Sequence, residues 1–454
     1  MNPWTPTSWH PFPAKQQPVY DDPALLESAL EELRELPPLV VSDEVDNLRG
    51  LLGDAVVGKR FLLQGGDCAE AFHDCTGPII ADKLRVLLQM SLLITHGGRT
   101  SVIHLGRIAG QYAKPRSSDT EVVDGVELPS YRGDIINGIE ATLEARKPDP
   151  IRLLKAYRCS VATLNYLRAL VDGGFVDLHH PERWELSWRG PDAGHYSEIL
   201  NLVQDSLHFV ESLSGQSQTL RTGDIFTSHE ALHLNYEEAM TRYVEEREAW
   251  YNLGAHFLWL GERTRQLDGA HMEYLRGIAN PLGVKVGPKM TPDELKRTLE
   301  ILDPDRAPGR ITLITRFGVG RAGDLLGPLL EAVRETGHPA LWSCDPMHGN
   351  GRQTPSGIKT RAFEDILQEL REVMITHWSL GSRIGAVHFE LTGTPVTECL
   401  GGAECLDEKD LERAYQSGCD PRLNRNQSLE MASLIAAMLR EEAAMQRARR
   451  AGNL

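Results

Sequence analysis

The sequence lacks any apolar run of the roughly 20 residues that a helix needs to cross a bilayer. Met1 to Tyr20 has no hydrophobic signal core and is rich in proline instead. A cytoplasmic protein without a membrane partner is the expectation. Surplus positive charge is also absent: 48 Lys and Arg stand against 64 Asp and Glu, a formal net charge of −16. That balance argues against nucleic acid or an anionic surface as partner and makes any clustering of Arg and Lys informative. Cysteine is sparse, seven in 454 residues, odd in number and without framework spacing. Reduced thiols are expected, with one available as a ligand. There is no internal repeat and no low-complexity tract. No Gly-x-Gly-x-x-Gly turn follows the first apolar strand, which weakens a dinucleotide-binding reading. What remains is an ordinary globular composition, 41 % apolar and 25 % charged.

Residues 1–59 read as an N-terminal extension. A Pro-rich arm carrying Trp4 and Trp9 comes first; it cannot be regular helix or central strand, and its aromatics suggest that it lies on something such as another subunit, with a partly ordered tail as the plainer reading. Helical apolar spacing follows over Pro23–Leu36 and Asp43–Leu52. From Arg60 short apolar runs alternate with amphipathic segments. The strand candidates are Phe61–Gln64, Ser101–Leu105, Asp224–Thr227, His256–Leu260, Gly283–Val286, Ile311–Thr315, Ala340–Ser343 and Gly385–Glu390. Helices are expected over Ile79–Ile94, Pro150–Val171, Asp268–Ile278, Thr291–Leu302, Ala322–Thr336, Thr360–Trp378 and Gln427–Arg450. Eight strands with intervening helices predict an α/β fold, a (β/α)₈ TIM barrel over residues 60–454, with an open doubly wound sheet as the alternative. A long loop, Gly106 to Gly138, interrupts the rhythm. So does an insertion at about 172–221, which contains His179-His180-Pro181 and an expected helix, Glu198–Leu213.

In a βα barrel the chemistry sits at the carboxyl ends of the strands. Each candidate strand here ends at an ionisable group. In order they are Asp67 and Cys68; Arg107, with Lys114, Arg116 and Ser117 beyond it; Glu230; Glu262 and Arg263; Lys285; Arg316; His348; and Glu390, with Asp420 in the following loop. Cys68, His348, Glu390 and Asp420 have ligand chemistry, and one thiol, one imidazole and two carboxylates suit Mn²⁺, Co²⁺, Fe²⁺ or Zn²⁺. Each alone is a weak signal: a lone Cys after a strand is more often core, and His348 or Asp420 can be a turn residue. Residues 388 and 390 share a strand face, and an inward Glu390 needs a partner, either a cation or a salt bridge. His388 is read as structural. Arg107, Lys114, Arg263, Lys285 and Arg316 would repel one another on one rim unless an anion sits there. A substrate with phosphate and carboxylate would satisfy them; pairing with Glu262, Glu230 and Asp67 is the plainer reading. Lys285 sits inside an apolar strand and reads as a Schiff-base lysine or as an anion clamp and proton donor.

Long runs then match a known family: Phe61–Glu70 (FLLQGGDCAE), Arg107–Ser117 (RIAGQYAKPRS), Tyr131–Asn137 (YRGDIIN), Ser228–Leu232 (SHEAL), Gly261–Gln266 (GERTRQ), Cys344–Asn350 (CDPMHGN), Thr397–Ala403 (TECLGGA) and Cys419–Asn424 (CDPRLN). From Phe61 to about Arg440 the chain resembles the class II (plant-like) 3-deoxy-D-arabino-heptulosonate-7-phosphate (DAHP) synthases of the shikimate pathway. The resemblance implies a (β/α)₈ barrel that condenses phosphoenolpyruvate with erythrose 4-phosphate and releases phosphate. It implies Cys68, His348, Glu390 and Asp420 as ligands of Mn²⁺ or Co²⁺, and Arg107, Glu262, Arg263, Lys285 and Arg316 as the phosphoenolpyruvate pocket. Lys285 becomes a clamp and acid, with Cys68, His348 and Glu262 beside it in the catalytic set. Lys114, Arg116, Ser117 and Glu230 are placed nearer erythrose 4-phosphate. The family also implies a homo-oligomer, dimer or tetramer, feedback by aromatic amino acids, and chorismate mutase as a partner of some members. Another metal-dependent barrel aldolase acting on phosphosugars, and a regulatory paralogue, stay open as alternatives.

Overall fold

In the computed structural model, residues 3–123, 125–175 and 224–450 are described. The insertion from residue 176 onward, with His179, His180 and the helix expected at Glu198–Leu213, lies outside the described residues. Two helices, α1 (Pro23–Glu35) and α2 (Ser42–Val56), precede the first barrel strand. Eight parallel strands then close a barrel in chain order: β1 (Arg60–Gly66), β2 (Ser101–Arg107), β3 (Ile225–Glu230), β4 (Phe257–Leu260), β5 (Leu282–Val286), β6 (Ile311–Thr315), β7 (Leu341–Cys344) and β8 (Ala386–Glu390). Leu62 closes the ring, pairing with Ile103 on one side and Ala386 on the other. The helices are α3 (Gly77–Gly98), α4 (Ile151–Asp172), α5 (Leu234–Ala239), α6 (Ala270–Arg276), α7 (Pro292–Leu302), α8 (Ala322–Thr336), α9 (Phe363–Ser379) and α10 (Arg425–Arg450). None of the described helices is long and apolar enough to cross a membrane.

Period-two alternation sorts every strand into two faces. Leu63, Leu258, Val284, Leu313, Trp342, Val387 and Phe389 point outward into one core shared with the surrounding helices. Leu62, Ile103, Leu105, Phe226, Phe257, Trp259, Ile314, Leu341 and Ala386 point inward. Leu48, Leu52 and Ala55 of α2 join this inner cluster, so α2 stops the amino-terminal mouth of the barrel. The same inward faces, followed toward the carboxyl ends, turn polar at Gln64, Arg107, Ser228, Glu230, Lys285, Ser343, His388 and Glu390. The floor is thus oil and the rim is charge. Leu313 is fully buried on β6. Leu313→Ala should lower unfolding free energy by about 2–5 kcal/mol in a urea titration, with the slope unchanged.

The strand expectations match all eight barrel strands, but the first three stop short of the true carboxyl ends at Gly66, Arg107 and Glu230. β1 runs through Gly65 and Gly66, because Gly66 pairs with Glu390 and Arg107. Its φ is 148°, and a Cβ there would stand 2.6 Å from Arg107 O, so glycine is what lets the strand reach the rim. Three short hairpins have no counterpart in the strand expectations: Thr120–Val123 with Val126–Pro129, Thr241–Val244 with Ala249–Asn252, and Arg352–Gln353 with Lys359–Thr360. The N-terminal arm lies on its own barrel: Trp4 packs edge-on against Trp250, ring centroids 6.2 Å apart.

Candidate active site

The inward rim positions converge on one cavity of about 220 Å³. Arg107, Lys114, Arg116, Ser117, Glu230, Glu262, Arg263, Lys285 and Arg316 all line it, together with Cys68, His348, Glu390 and Asp420. The structure therefore brings these residues together in one cavity, while Asp67, also at a strand end, lies outside its lining and pairs with Lys83 and Arg422.

Arg107 is held from four sides. Its Nε donates to Asp67 O at 2.8 Å and its Nη2 to Cys68 O at 2.9 Å. Nη2 also reaches Glu390 Oε1 at 3.2 Å. Nη1 donates to His388 Nε2 at 2.6 Å, and the guanidinium lies 5.1 Å above the Trp259 ring. Burial first, then Lys285 and Arg107, hold the His388 pKa well below the usual imidazole range. The ring is therefore neutral, accepting at Nε2 and donating from Nδ1 to Gln64 Oε1 at 2.7 Å. Gln64 Nε2 donates in turn to Ser228 Oγ at 3.0 Å. A chain of side chains across the barrel interior thus fixes the orientation of Arg107, which agrees with a structural role for His388.

Lys285 Nζ stands 2.5 Å from Asp345 Oδ2. Burial, most of all, lowers its pKa; Asp345 opposes this, while Arg107 and Arg316 add to it. Asp345 also accepts from His348 Nδ1 at 2.7 Å and so ties the lysine to the imidazole. Asp345 was visible in CDPMHGN, three residues before His348, yet its role was not read. Arg316 donates to His348 O at 2.8 Å. Glu262 bridges Arg265 and the Gly287 amide.

Cys68, Glu390 and Asp420 present ligand atoms that all lie within 4.8 Å of one another. His348 stands outside that trio, but its Nε2 is 3.0 Å from Glu390 Oε1. Three anionic or ionisable groups this close are unfavourable by themselves. Burial first, then the bond to Cys419 and the Glu390 charge, push the Cys68 thiol up. A divalent cation would relieve that crowding, and the mixed sulfur, nitrogen and oxygen donors fit a borderline ion. Besides Arg107 on Glu390, further cations flank the trio. Arg361, which carried no sequence signal, pairs with Glu390 Oε2 at 2.7 Å. Lys114 Nζ lies 2.6 Å from Cys68 Sγ and 2.5 Å from Asp420 Oδ2. It thus stands among the ligand groups, while lining the same cavity as Arg116 and Ser117.

At the outer end, Arg263 Nη2 donates to Ser117 Oγ at 3.1 Å, and Arg116 pairs with Glu121. Glu230 is buried, and its Oε1 has no hydrogen-bond partner among the described residues. Burial raises its pKa against Lys285, His348, Arg107 and Arg263.

Three buried glutamates outside the expected site organise the rim loops. Glu70 accepts the amides of Ala109, Gly110 and Gln111. Glu398 accepts those of Gln416, Ser417 and Arg422. Glu369, reaching in from α9, accepts the Phe317 and Gly318 amides at 2.7 and 3.0 Å and Asn350 Nδ2 at 2.7 Å. It thereby binds the loop of Arg316 to the loop of His348. Burial outweighs those bonds and raises its pKa from 4.5 to about 7. Because the folded value is raised, the contribution is fully present below about pH 4.5 and is lost as pH rises through about 7. Stability should fall across that window by roughly 3 kcal/mol from this group. Urea titrations at about pH 5 and about pH 8 should show the decline in the wild type and its absence in Glu369→Gln.

A closed parallel barrel whose carboxyl rim gathers ligand atoms and cations around one cavity defines the class: a (β/α)₈-barrel enzyme. The sequence pattern of the Class-II DAHP synthetase family matches residues 4–436, and the chain belongs to that family. Phospho-2-dehydro-3-deoxyheptonate aldolase of Neurospora crassa is 47 % identical, over 97 % of this chain and 95 % of that protein. The AroG enzyme of the same name from Mycolicibacterium smegmatis is 46 % identical, over 94 % and 93 %. The Streptomyces coelicolor aldolase is 44 % identical, over 96 % and 97 %.

Proposed function

We propose that this enzyme joins phosphoenolpyruvate to erythrose 4-phosphate with uptake of water, forming DAHP and inorganic phosphate, and that the described cavity is where it does so. The convergence of Arg107, Lys285, Arg316 and Arg263 beside Cys68, His348, Glu390 and Asp420 carries this reading, because it pairs anion binding with a metal ligand set in one space. Mn²⁺ or Co²⁺ held by those four ligands would supply Lewis acidity to the sugar aldehyde.

The chain's own groups do the positioning. Arg107, Arg316 and Lys285 hold the phosphate and carboxylate of phosphoenolpyruvate, with Glu262 and Arg263 completing the pocket. Arg116 and Ser117 take the phosphosugar end, and Lys114 stands between the two ends. In the reaction C3 of phosphoenolpyruvate bonds to the aldehyde carbon, a water oxygen adds at C2, and the bond from C2 to the phosphate oxygen breaks. The aldehyde oxygen and the departing phosphate each gain a proton, and the added water gives up both of its own as C2 becomes a carbonyl. Lys285 Nζ, lowered by burial, suits donation; Glu230, raised by burial and lining the cavity, suits acceptance.

Phosphate release from the two substrates, followed with and without a chelator, tests the proposal. Turnover that needs both substrates and stops on chelation is expected. Release of phosphate from phosphoenolpyruvate alone, or none at all, would refute it. The same assay titrated with Phe, Tyr and Trp reads feedback, and sedimentation reads the homo-oligomer that we infer with it.

A further inference from the structure

The proline-rich arm ahead of α1 is the sequence feature that the proposed reaction leaves unused. It is anchored at several points. Trp4 Nε1 donates to Glu273 O at 2.9 Å, and buried Trp9 donates to Glu238 Oε2 at 3.0 Å. Pro13 O accepts from the Ala270 amide at 3.1 Å. These anchors carry two consecutive glutamines over the barrel rim. Gln16 Nε2 donates to Arg116 O at 3.1 Å, while its Oε1 accepts from Arg116 N at 2.8 Å. Gln17 does the same on the loop after Glu230: Nε2 donates to Leu232 O at 2.7 Å, and Oε1 accepts from Leu234 N at 2.9 Å.

Each amide satisfies one backbone donor and one acceptor, as a neighbouring strand would. Arg116 lies in irregular chain between β2 and the hairpin that starts at Thr120. Among the described residues no other group bonds the Arg116 backbone. Gln16 itself has a φ of 62°, a left-handed conformation that a residue with a side chain keeps only where its surroundings hold it. The arm therefore does more than cover surface: it determines where the loop of Arg116 and Ser117 stands.

We propose that Gln16 is a positioning residue for the phosphosugar end of the cavity. By bridging both backbone groups of Arg116 it sets the Arg116 guanidinium and the Ser117 hydroxyl relative to Arg263 and Glu230, on loops that Gln17 and the arm's anchors secure. The inference rests on reading that end as the erythrose 4-phosphate subsite.

Gln16→Ala and Gln16→Gly both remove the amide, and only the glycine variant also relaxes the left-handed backbone. A loss common to both belongs to the two hydrogen bonds. KM for erythrose 4-phosphate should rise about five- to tenfold in each. KM for phosphoenolpyruvate and kcat should change less than about twofold, and the thermal midpoint should match the wild type. An unchanged KM for erythrose 4-phosphate, or an equal rise for both substrates, would overturn the proposal. Hydrogen exchange without substrates gives a readout independent of turnover: the Arg116 amide should exchange faster in both variants, and unchanged exchange counts against the bridge. Phosphate release by the wild type tests the underlying reaction separately, so the two failures can be told apart.

Discussion

Lys285→Met is expected to lower kcat/KM for phosphoenolpyruvate by about 10³ or more. The ammonium sits inside the barrel at 5 % exposure, 2.5 Å from Asp345 Oδ2 and 5.9 Å from the centroid of the Trp259 ring. In so dry a place a charge acts at a low effective dielectric, so its removal costs far more than loss of a surface contact. Methionine keeps the length and the packing but offers no donor. The Asp345 carboxylate stays bonded to His348 Nδ1 and to the Met347 and His348 amides, so the variant should fold. Lys285→Arg should not rescue it, because the planar guanidinium needs space that Trp259 and Arg107 fill. Steady-state phosphate release at varied phosphoenolpyruvate measures the effect. Activity within about tenfold of the wild type would remove Lys285 from the pocket. Borohydride treatment with phosphoenolpyruvate present should leave Lys285 unmodified; a trapped adduct would restore the Schiff-base reading.

Cys68→Ala carries the second large expectation, a loss of turnover of about 10³ that added Mn²⁺ or Co²⁺ does not restore. The thiol is one of three ligand groups within 4.8 Å, and the other two are carboxylates, so its loss leaves an oxygen-dominated set that holds a borderline ion weakly. Lys114 Nζ, 2.6 Å from Sγ, then has only Asp420 to pair with and can compete with the ion for that carboxylate. Wild-type enzyme dialysed against a chelator should lose activity and regain it with Mn²⁺ or Co²⁺. The variant should bind less metal per chain by atomic absorption. Full turnover by chelated wild type would take the ion out of the mechanism altogether. The variant should keep its fold, because Cys68 lies in a small cluster with Tyr131 and Cys419 apart from the main core.

The barrel was legible because each strand is buried on both faces and reads as a short apolar run bounded by charge. Errors fell where that contrast fails. Gly65 and Gly66 look like a break yet belong to β1, since the register with Phe389 and Glu390 continues through them. The hairpin Thr241–Val244 with Ala249–Asn252 joins five charged residues to aromatics and has no clean alternation, so it escapes a pattern search. In the site, residues at strand ends were found because position along a strand is a local property. Arg361, Glu369, Glu398 and Gln16 were not, because each acts on a partner that only the folded chain brings near. Arg361 pairs with Glu390, Glu369 with the amides of Phe317 and Gly318, and Gln16 with Arg116.

The order of apolar and charged runs by itself determined a parallel barrel with reactive groups at its carboxyl rim, because alternation and strand count are written residue by residue. Closure of β1 onto β8 decided the rest. It brought Cys68 beside Glu390 and Asp420 and set His388 against Arg107, while the arm's own anchors at Trp4, Trp9 and Pro13 laid it across the loop of Arg116. Those contacts join residues hundreds of positions apart, or an arm to a loop, and their strength depends on distance and burial, which only the folded chain has.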